Sequence, residues 1–322
     1  MSSIWLTGAD GFVGGWLRSA LEEQGKQWTA LGLVSPGASD LGSFTELDLA
    51  EWSNGPKEET LAAWDQLPEP EGLVHLAALS SPPACEANPE LAQAINVDGP
   101  RRMYEEFLKR WPDCPIVHVS SGHVYRPASE PLSENEQLEP INVYGATKLR
   151  GESMAMELRE KGHRITVVRP FNHTGAGQLP TFALPSFAMR LAVLEANGGG
   201  TLAVGRLDAV RDFLHVRDVV RTYLNLLEHA GKVDLLNICS GHGVVIGELL
   251  DGLVTRFEGD LRVQQEEARL RGAADANILV GSNCRLQDLL GYAPKLDVDA
   301  LLDELAVDAR ARVAAGESLK EA

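Results

Sequence analysis

The sequence predicts an α/β protein: a Rossmann-type, doubly wound parallel sheet with a smaller C-terminal substrate-binding lobe. Three observations predict it. Apolar runs of strand length alternate with amphipathic helical stretches from the start to Phe171. The first run passes directly into a glycine-rich turn that opens a helix. Beyond Phe171 the alternation gives way to loops rich in Gly and Pro.

Each element follows from its pattern. SIWLT (3–7) reads as the first strand and GFVGGWLRSALEEQG (11–25) as a helix closed by Gly25. WTALGLV (28–34) and FTELDL (44–49) supply strands two and three, and residues 58–67 a helix. GLVHLAA (72–78) is the fourth strand, followed by one long helix over 89–111. PIVHVSS (115–121), a helix over 142–162 and RITVVRPFN (164–172) continue the rhythm. A helix near 185–196 stands apart, whereas DVVRTYLNLLEHAG (218–231) and LLNICSG (235–241) rejoin the sheet. The acidic, alanine-rich end (303–322) reads as a solvated helix. The expected division is therefore 1–171 plus about 217–241 for the dinucleotide-binding domain, with about 172–216 and 242–322 forming the second lobe. The six tryptophans, all at or before position 111, have no functional reading.

Composition narrows the partners. The 322 residues carry a net charge of −17, which opposes binding to nucleic acid or an anionic membrane. An anionic ligand must then be met by locally placed arginines or helix N-termini. Cys85, Cys114, Cys239 and Cys284 are scattered without a CxxC pair, as reduced thiols of a cytoplasmic protein are. The first residues lack a basic leader, and no stretch approaches the roughly 18 apolar residues of a membrane span. A soluble, cytoplasmic protein is expected.

Within TGADGFVG, Gly8, Gly11 and Gly14 are spaced to let a backbone turn approach a pyrophosphate at a helix N-terminus. Phe12 and Val13 lie inside that turn. An acid about 20 residues on would hold the ribose hydroxyls, but Gly32 and Leu33 stand there, so NADPH and NADH are not separated. Asp48 is a candidate for the adenine, with Leu49 beside it, and Leu76, Ala77 and Ala78 run past the cofactor. Pro170, ending strand six, completes the cofactor set.

YGATK places Tyr144 and Lys148 on one helix face, four residues apart. A phenol is protonated at neutral pH and can donate to a carbonyl oxygen. A neighbouring ammonium stabilises the tyrosinate left behind, and a shift of about three units is worth roughly 4 kcal/mol. Such a pair also arises by chance as a core tyrosine and a surface lysine. The preceding glycine turn and Ser121 at a strand end favour catalysis. Ser121 can polarise the same carbonyl, and its competing reading is a turn serine capping its own backbone. No GxSxG elbow makes it a nucleophile. His118 and His123 have no carboxylate or cysteine at ligand spacing, so no metal site is expected.

The glycine turn, the serine before VY, and YxxxK together resemble the extended short-chain dehydrogenase/reductases that modify nucleotide sugars. RPFNHTGAGQ (169–178), LPSFAMRLA (184–192), VGRLDAVRDFLHVRDVVRTY (204–223) and LNICSGHGVVIGELL (236–250) look like the branch that reduces GDP-4-keto-6-deoxymannose. The resemblance covers nearly the whole chain. It implies a GDP-sugar substrate, reduction at C4 to GDP-D-rhamnose, and a homodimer packed through the 89–111 and 144–162 helices. It matches Ser121, Tyr144 and Lys148 to the catalytic serine, tyrosine and lysine, and Asn172 to a sugar- or phosphate-contacting asparagine. Arg211 and Arg271 correspond to arginines that clamp the diphosphate, with Arg190 a third candidate and Ser80 and Val204 further substrate contacts. Bidentate guanidinium clamps suit an acidic protein holding a nucleoside diphosphate. His123 stands where related dehydratases carry a glutamate, which favours reduction over elimination. RGAAD (271–275) departs from the usual arginine followed by Pro or Arg. A dehydratase, a 4-epimerase and a non-catalytic dinucleotide-binding protein stay open as alternatives, as does the configuration produced at C4.

Overall fold

A computed structural model describes residues 2–33, 43–266 and 278–317. The strand-length apolar runs pair side by side because burial on both faces leaves their backbone groups no other partners. The chain forms β1 (Ser3–Thr7), α1 (Phe12–Glu23), β2 (Trp28–Gly32), β3 (Ser43–Glu46), α2 (Leu49–Trp52), α3 (Glu58–Trp64) and β4 (Pro70–His75). It continues through α4 (Pro82–Ala87), α5 (Pro89–Gln93), a π-turn at Ala94–Asp98, α6 (Gly99–Arg110) and β5 (Ile116–Val119). A 3-10 turn (Gly122–Val124) precedes α7 (Val143–Glu160), β6 (Ile165–Pro170), β7 (Asn172–Thr174), α8 (Ala183–Ala196), β8 (Gly199–Val204) and β9 (Val210–His215). Then come α9 (Val216–His229), β10 (Leu235–Ile238), β11 (Gly243–Val245), α10 (Ile246–Val254), β12 (Asp260–Gln265), β13 (Ile278–Leu279), α11 (Cys284–Leu290) and α12 (Val298–Ala314).

The central sheet has seven strands in the order β10-β6-β5-β4-β1-β2-β3, every pair parallel. This is the doubly wound Rossmann arrangement expected. Strand order reverses between β1 and β4, and the crevice at their carboxyl ends is where such sheets bind ligands. One core packs α1 and α9 on the sheet through Leu17, Leu21, Val219 and Tyr223. The opposite face is filled by Trp5, Trp52, Trp64, Phe107 and Met154, with Trp111 packed alongside. The clustered tryptophans are thus packing: Trp5 meets Trp64 edge-on at 5.7 Å.

A third core joins α8, α10 and α12 to β8 and β9. Here the expectation of a solvated C-terminal helix fails. Leu301, Leu302, Leu305, Ala306 and Ala309 of α12 are buried against that lobe. Their spacing of three and four residues makes one apolar stripe, with the acidic residues left on the other face. The helix expected over 89–111 runs from Pro89 to Arg110, with one π-turn at Ala94–Asp98 inside it. β5 stops at Val119 and β3 at Glu46, two to three residues short of the sequence reading, because Ser121 and Asp48 become caps. Among the described residues no helix is long and apolar enough to cross a membrane. All four cysteines are free, and only Cys284 is exposed.

Candidate active site

The turn after β1 is built for close backbone approach. Gly8 has φ +68°, and a Cβ there would lie 2.9 Å from the Ala77 nitrogen. A Cβ on Gly14 would lie 2.1 Å from the Gly8 carbonyl oxygen, so only glycine lets α1 start there. Gly11 caps α1 without a side chain, which leaves the first N–H groups of the helix to a ligand. The facing wall is pinned by Thr7, whose Oγ1 accepts from the Ala77 N–H at 3.1 Å and bonds His75 Nδ1 at 2.8 Å.

The second wall belongs to α7. Asn142 caps it by accepting from the Gly145 N–H at 2.8 Å, which fixes the first turn carrying Tyr144. A Cβ on Gly145 would lie 2.4 Å from the His123 carbonyl, so α7 packs directly on the 3-10 turn. Ser121 takes the capping role the sequence offered and also meets the tyrosine. Its Oγ accepts from the His123 N–H at 3.2 Å, and its side chain also hydrogen-bonds Tyr144. The His123 ring stands edge-on to the Tyr144 ring, 5.8 Å between centroids. Lys148 is buried and donates from Nζ to the Val119 carbonyl.

Burial dominates the electrostatics. It pushes the Tyr144 phenol above its ordinary value, partly offset by the Ser121 hydrogen bond. Burial also pulls the Lys148 ammonium down to about 8, against the Coulombic support of Glu152. The sequence reading had the ammonium lowering the phenol, but in this structure desolvation of the ring wins and the lysine bonds Val119. A phenol held in its protonated form is what a proton donor requires.

These walls border a cleft of about 2640 Å³. That exceeds the roughly 300–1,000 Å³ of a site for one small ligand and suits a dinucleotide beside a sugar nucleotide. Gly8, Gly11, Phe12, Val13, Gly14, Asp48, Leu49, Leu76, Ala77, Ala78 and Pro170 line it, as do Ser121, Tyr144 and Lys148. Asp48 also caps α2, its Oδ1 accepting from the Ala50 N–H at 2.8 Å. Ser80, His123, Asn172, Arg190, Val204 and Arg211 line the cleft too. Asn172 Oδ1 is buried there without a hydrogen-bond partner among the described residues. Arg190 donates to the Ala203 carbonyl and Arg211 to that of Val210. Arg271 lies outside the described residues.

Residues 4–239 match the model of the NAD dependent epimerase/dehydratase family. The chain belongs to that family, the extended short-chain dehydrogenase/reductases. Its activity is of the nucleotide-sugar reductase or epimerase type. GDP-6-deoxy-D-mannose reductase from Pseudomonas aeruginosa is 31% identical over 96% of this chain and 98% of its own. GDP-6-deoxy-D-talose 4-dehydrogenase from Aggregatibacter actinomycetemcomitans is 26% identical over 94% of this chain and 96% of its own. The solved structure of RMD from Pseudomonas aeruginosa complexed with NADPH has a TM-score of 0.80 at 29% identity, covering 96% of this chain and 98% of that one. Nicotinamide dinucleotides are the cofactor class of this family. The cradle that a Cβ on Gly8 or Gly14 would fill, and the open N-terminus of α1, fit such a group.

Other residues in or behind the cleft of this family member carried no local signal. Asn96 accepts from the Leu79 N–H at 2.8 Å and donates to Thr147 Oγ1 at 2.9 Å, tying the 76–80 segment to α7. It does so from the π-turn, which no periodicity marks. Tyr223 and Arg217 reach the cleft from α9, some 75 residues in sequence beyond Tyr144. Asp212, next to Arg211 on β9 and buried, accepts from the Ser240 and Gly241 N–H groups at 2.8 and 2.9 Å.

Proposed function

We propose that this chain reduces the C4 keto group of GDP-4-dehydro-6-deoxy-D-mannose to give GDP-D-rhamnose. The observation that carries the reading is the joining of Ser121, Tyr144 and Lys148 at one cleft wall, with His123 rather than a carboxylate beside the tyrosine. When bound, the nicotinamide of NADPH or NADH supplies the hydride. The glycine turn and α1 would hold its pyrophosphate, and Lys148 its ribose. Tyr144 delivers the proton to the carbonyl oxygen, and Ser121 donates a hydrogen bond that polarises it. Lys148 offsets the charge left on the phenolate. Asn172, Arg190, Arg211 and Arg271 meet the sugar nucleotide, with Ser80 and Val204 at its flanks. In this reading 1–171 and about 217–241 bind the cofactor, and about 172–216 and 242–322 the substrate.

The identity to a GDP-6-deoxy-D-mannose reductase over nearly both full lengths supports the GDP-sugar class, and the NADPH complex of a similar protein makes NADPH the first cofactor to try. The reading includes a cytoplasmic homodimer packed through the α5–α6 and α7 helices. The test is incubation with GDP-4-keto-6-deoxymannose and NADPH or NADH, followed by product identification. Stoichiometric nucleotide oxidation with formation of GDP-rhamnose is expected. Conversion of the sugar without net nucleotide oxidation would instead assign an epimerase or dehydratase.

A further inference from the structure

Glu152 lies on α7 one turn beyond Lys148, and both side chains are buried. Its carboxylate accepts from Ser120 Oγ at 2.9 Å, from Arg169 Nε at 3.0 Å, and from the same guanidinium through Nη2. Arg169 is held from behind by Tyr125 Oη at 2.8 Å and by the Glu134 carbonyl at 3.2 Å. Tyr125 in turn donates to Asn237 Oδ1 at 2.6 Å, so the cluster is anchored on β10. Ser120 separates two residues of the catalytic wall. On one side Val119 offers its carbonyl to the Lys148 ammonium, and on the other Ser121 bonds Tyr144.

The groups acting on Lys148 leave few sources of compensation. Tyr144 and Glu152 share its helix, Cys85 faces it from α4, His75 from β4 and His118 from β5. Burial holds both imidazoles neutral and the Cys85 thiol protonated. Glu152 is therefore the buried carboxylate in this set, one turn from Lys148 on α7 and ion-paired with Arg169.

We propose that Glu152 is a positioning residue: it supplies the countercharge to Lys148 and, through Ser120, holds the strand end that presents the Val119 carbonyl and Ser121. The proposal rests on the functional reading above, in which Lys148 holds the nicotinamide ribose as an ammonium. It follows that cofactor affinity falls as pH rises through the Lys148 titration near 8. Removing the carboxylate makes the ammonium easier to deprotonate and moves that fall to lower pH.

The test is NADPH and NADH binding by the intact chain, followed through nucleotide fluorescence from pH 6 to 10 at constant ionic strength. Wild type, Glu152→Gln and Ser120→Ala are compared, with folding checked by circular dichroism. Glu152→Gln leaves Arg169 without its carboxylate, so the double variant Glu152→Gln/Arg169→Met is measured in parallel. The expected result is a midpoint lowered by about one pH unit in Glu152→Gln, and lowered less in the double variant, where the Arg169 cation goes with the carboxylate. Ser120→Ala, which keeps the charge, is expected to keep the wild-type midpoint. An unmoved midpoint in the folded Glu152 variants overturns the proposal. So does an equal move in Ser120→Ala, which would assign the effect to general loosening of the site. A wild-type protein that binds neither nucleotide overturns the functional reading itself, and this inference with it.

Discussion

Tyr144 shows how a single side chain takes its role from its neighbours. Burial and the Ser121 hydrogen bond leave it a protonated phenol facing the cleft. Phenylalanine keeps the ring and removes the proton. Tyr144→Phe is therefore expected to lower kcat by about 10²–10⁴-fold with an unchanged circular dichroism spectrum. A second residue-scale effect lies beneath the site. His75 is fully buried and its titration is pulled down to about 3 by desolvation, with the Lys148 charge adding to the effect. An unfolded chain takes up that proton near pH 6.5, so between those values the unfolded state binds more protons than the native one. Stability present above pH 6.5 is then lost as pH falls, by about 1.4 kcal/mol per unit for this group. Urea unfolding of His75→Gln should depend less steeply on pH between 6 and 4 than wild type. The sequence made Tyr144, Lys148 and Ser121 legible because helix spacing and strand ends are local. The burial that sets their titrations is not local.

At the scale of elements, the glycine turn was readable because its demands are steric and confined to seven residues. Gly14→Ala puts a Cβ 2.1 Å from the Gly8 oxygen and 2.7 Å from the Ala9 Cα, backbone atoms that cannot swing aside. The expected outcome is a loss of about 1–3 kcal/mol in urea unfolding, with NAD(P)H affinity lowered at least about tenfold in a fluorescence titration. Element boundaries were less legible. Propensity alone extends β5 through Ser121 and β3 through Leu49, yet in both places a side-chain cap ends the strand. The helix over 89–111 hides a π-turn that brings Asn96 to both Leu79 and Thr147. That turn is stabilised by contacts with residues 17 and 51 positions away, which no local window contains.

The molecule as a whole packs several apolar cores around the sheet and its C-terminal helices, and the cleft is lined from both. α12 closes the core it shares with α8 and α10 by laying its apolar stripe on α8. Leu305 is 1% exposed and Val307 is 66% exposed. Leu305→Ala should cost about 2–5 kcal/mol in urea unfolding, whereas Val307→Ala should stay within about 0.5 kcal/mol. Arg190, Arg206, Arg211 and Arg217 line the cleft of a chain with net charge −17. They stand in the same lining as Asp10, Glu23, Asp48 and Glu86, so the cleft carries both signs of charge.

The sequence by itself determined the parallel α/β sheet, the nucleotide-binding turn and the Tyr144–Lys148 pair, because each depends on periodicity or on contacts within a few residues. Tertiary structure alone decided that Ser121 both caps its turn and bonds Tyr144. It also buried the C-terminal helix and paired Glu152 with Arg169. Those outcomes depend on what each side chain loses in water and gains from distant partners, and such balances are struck only when the chain has closed upon itself.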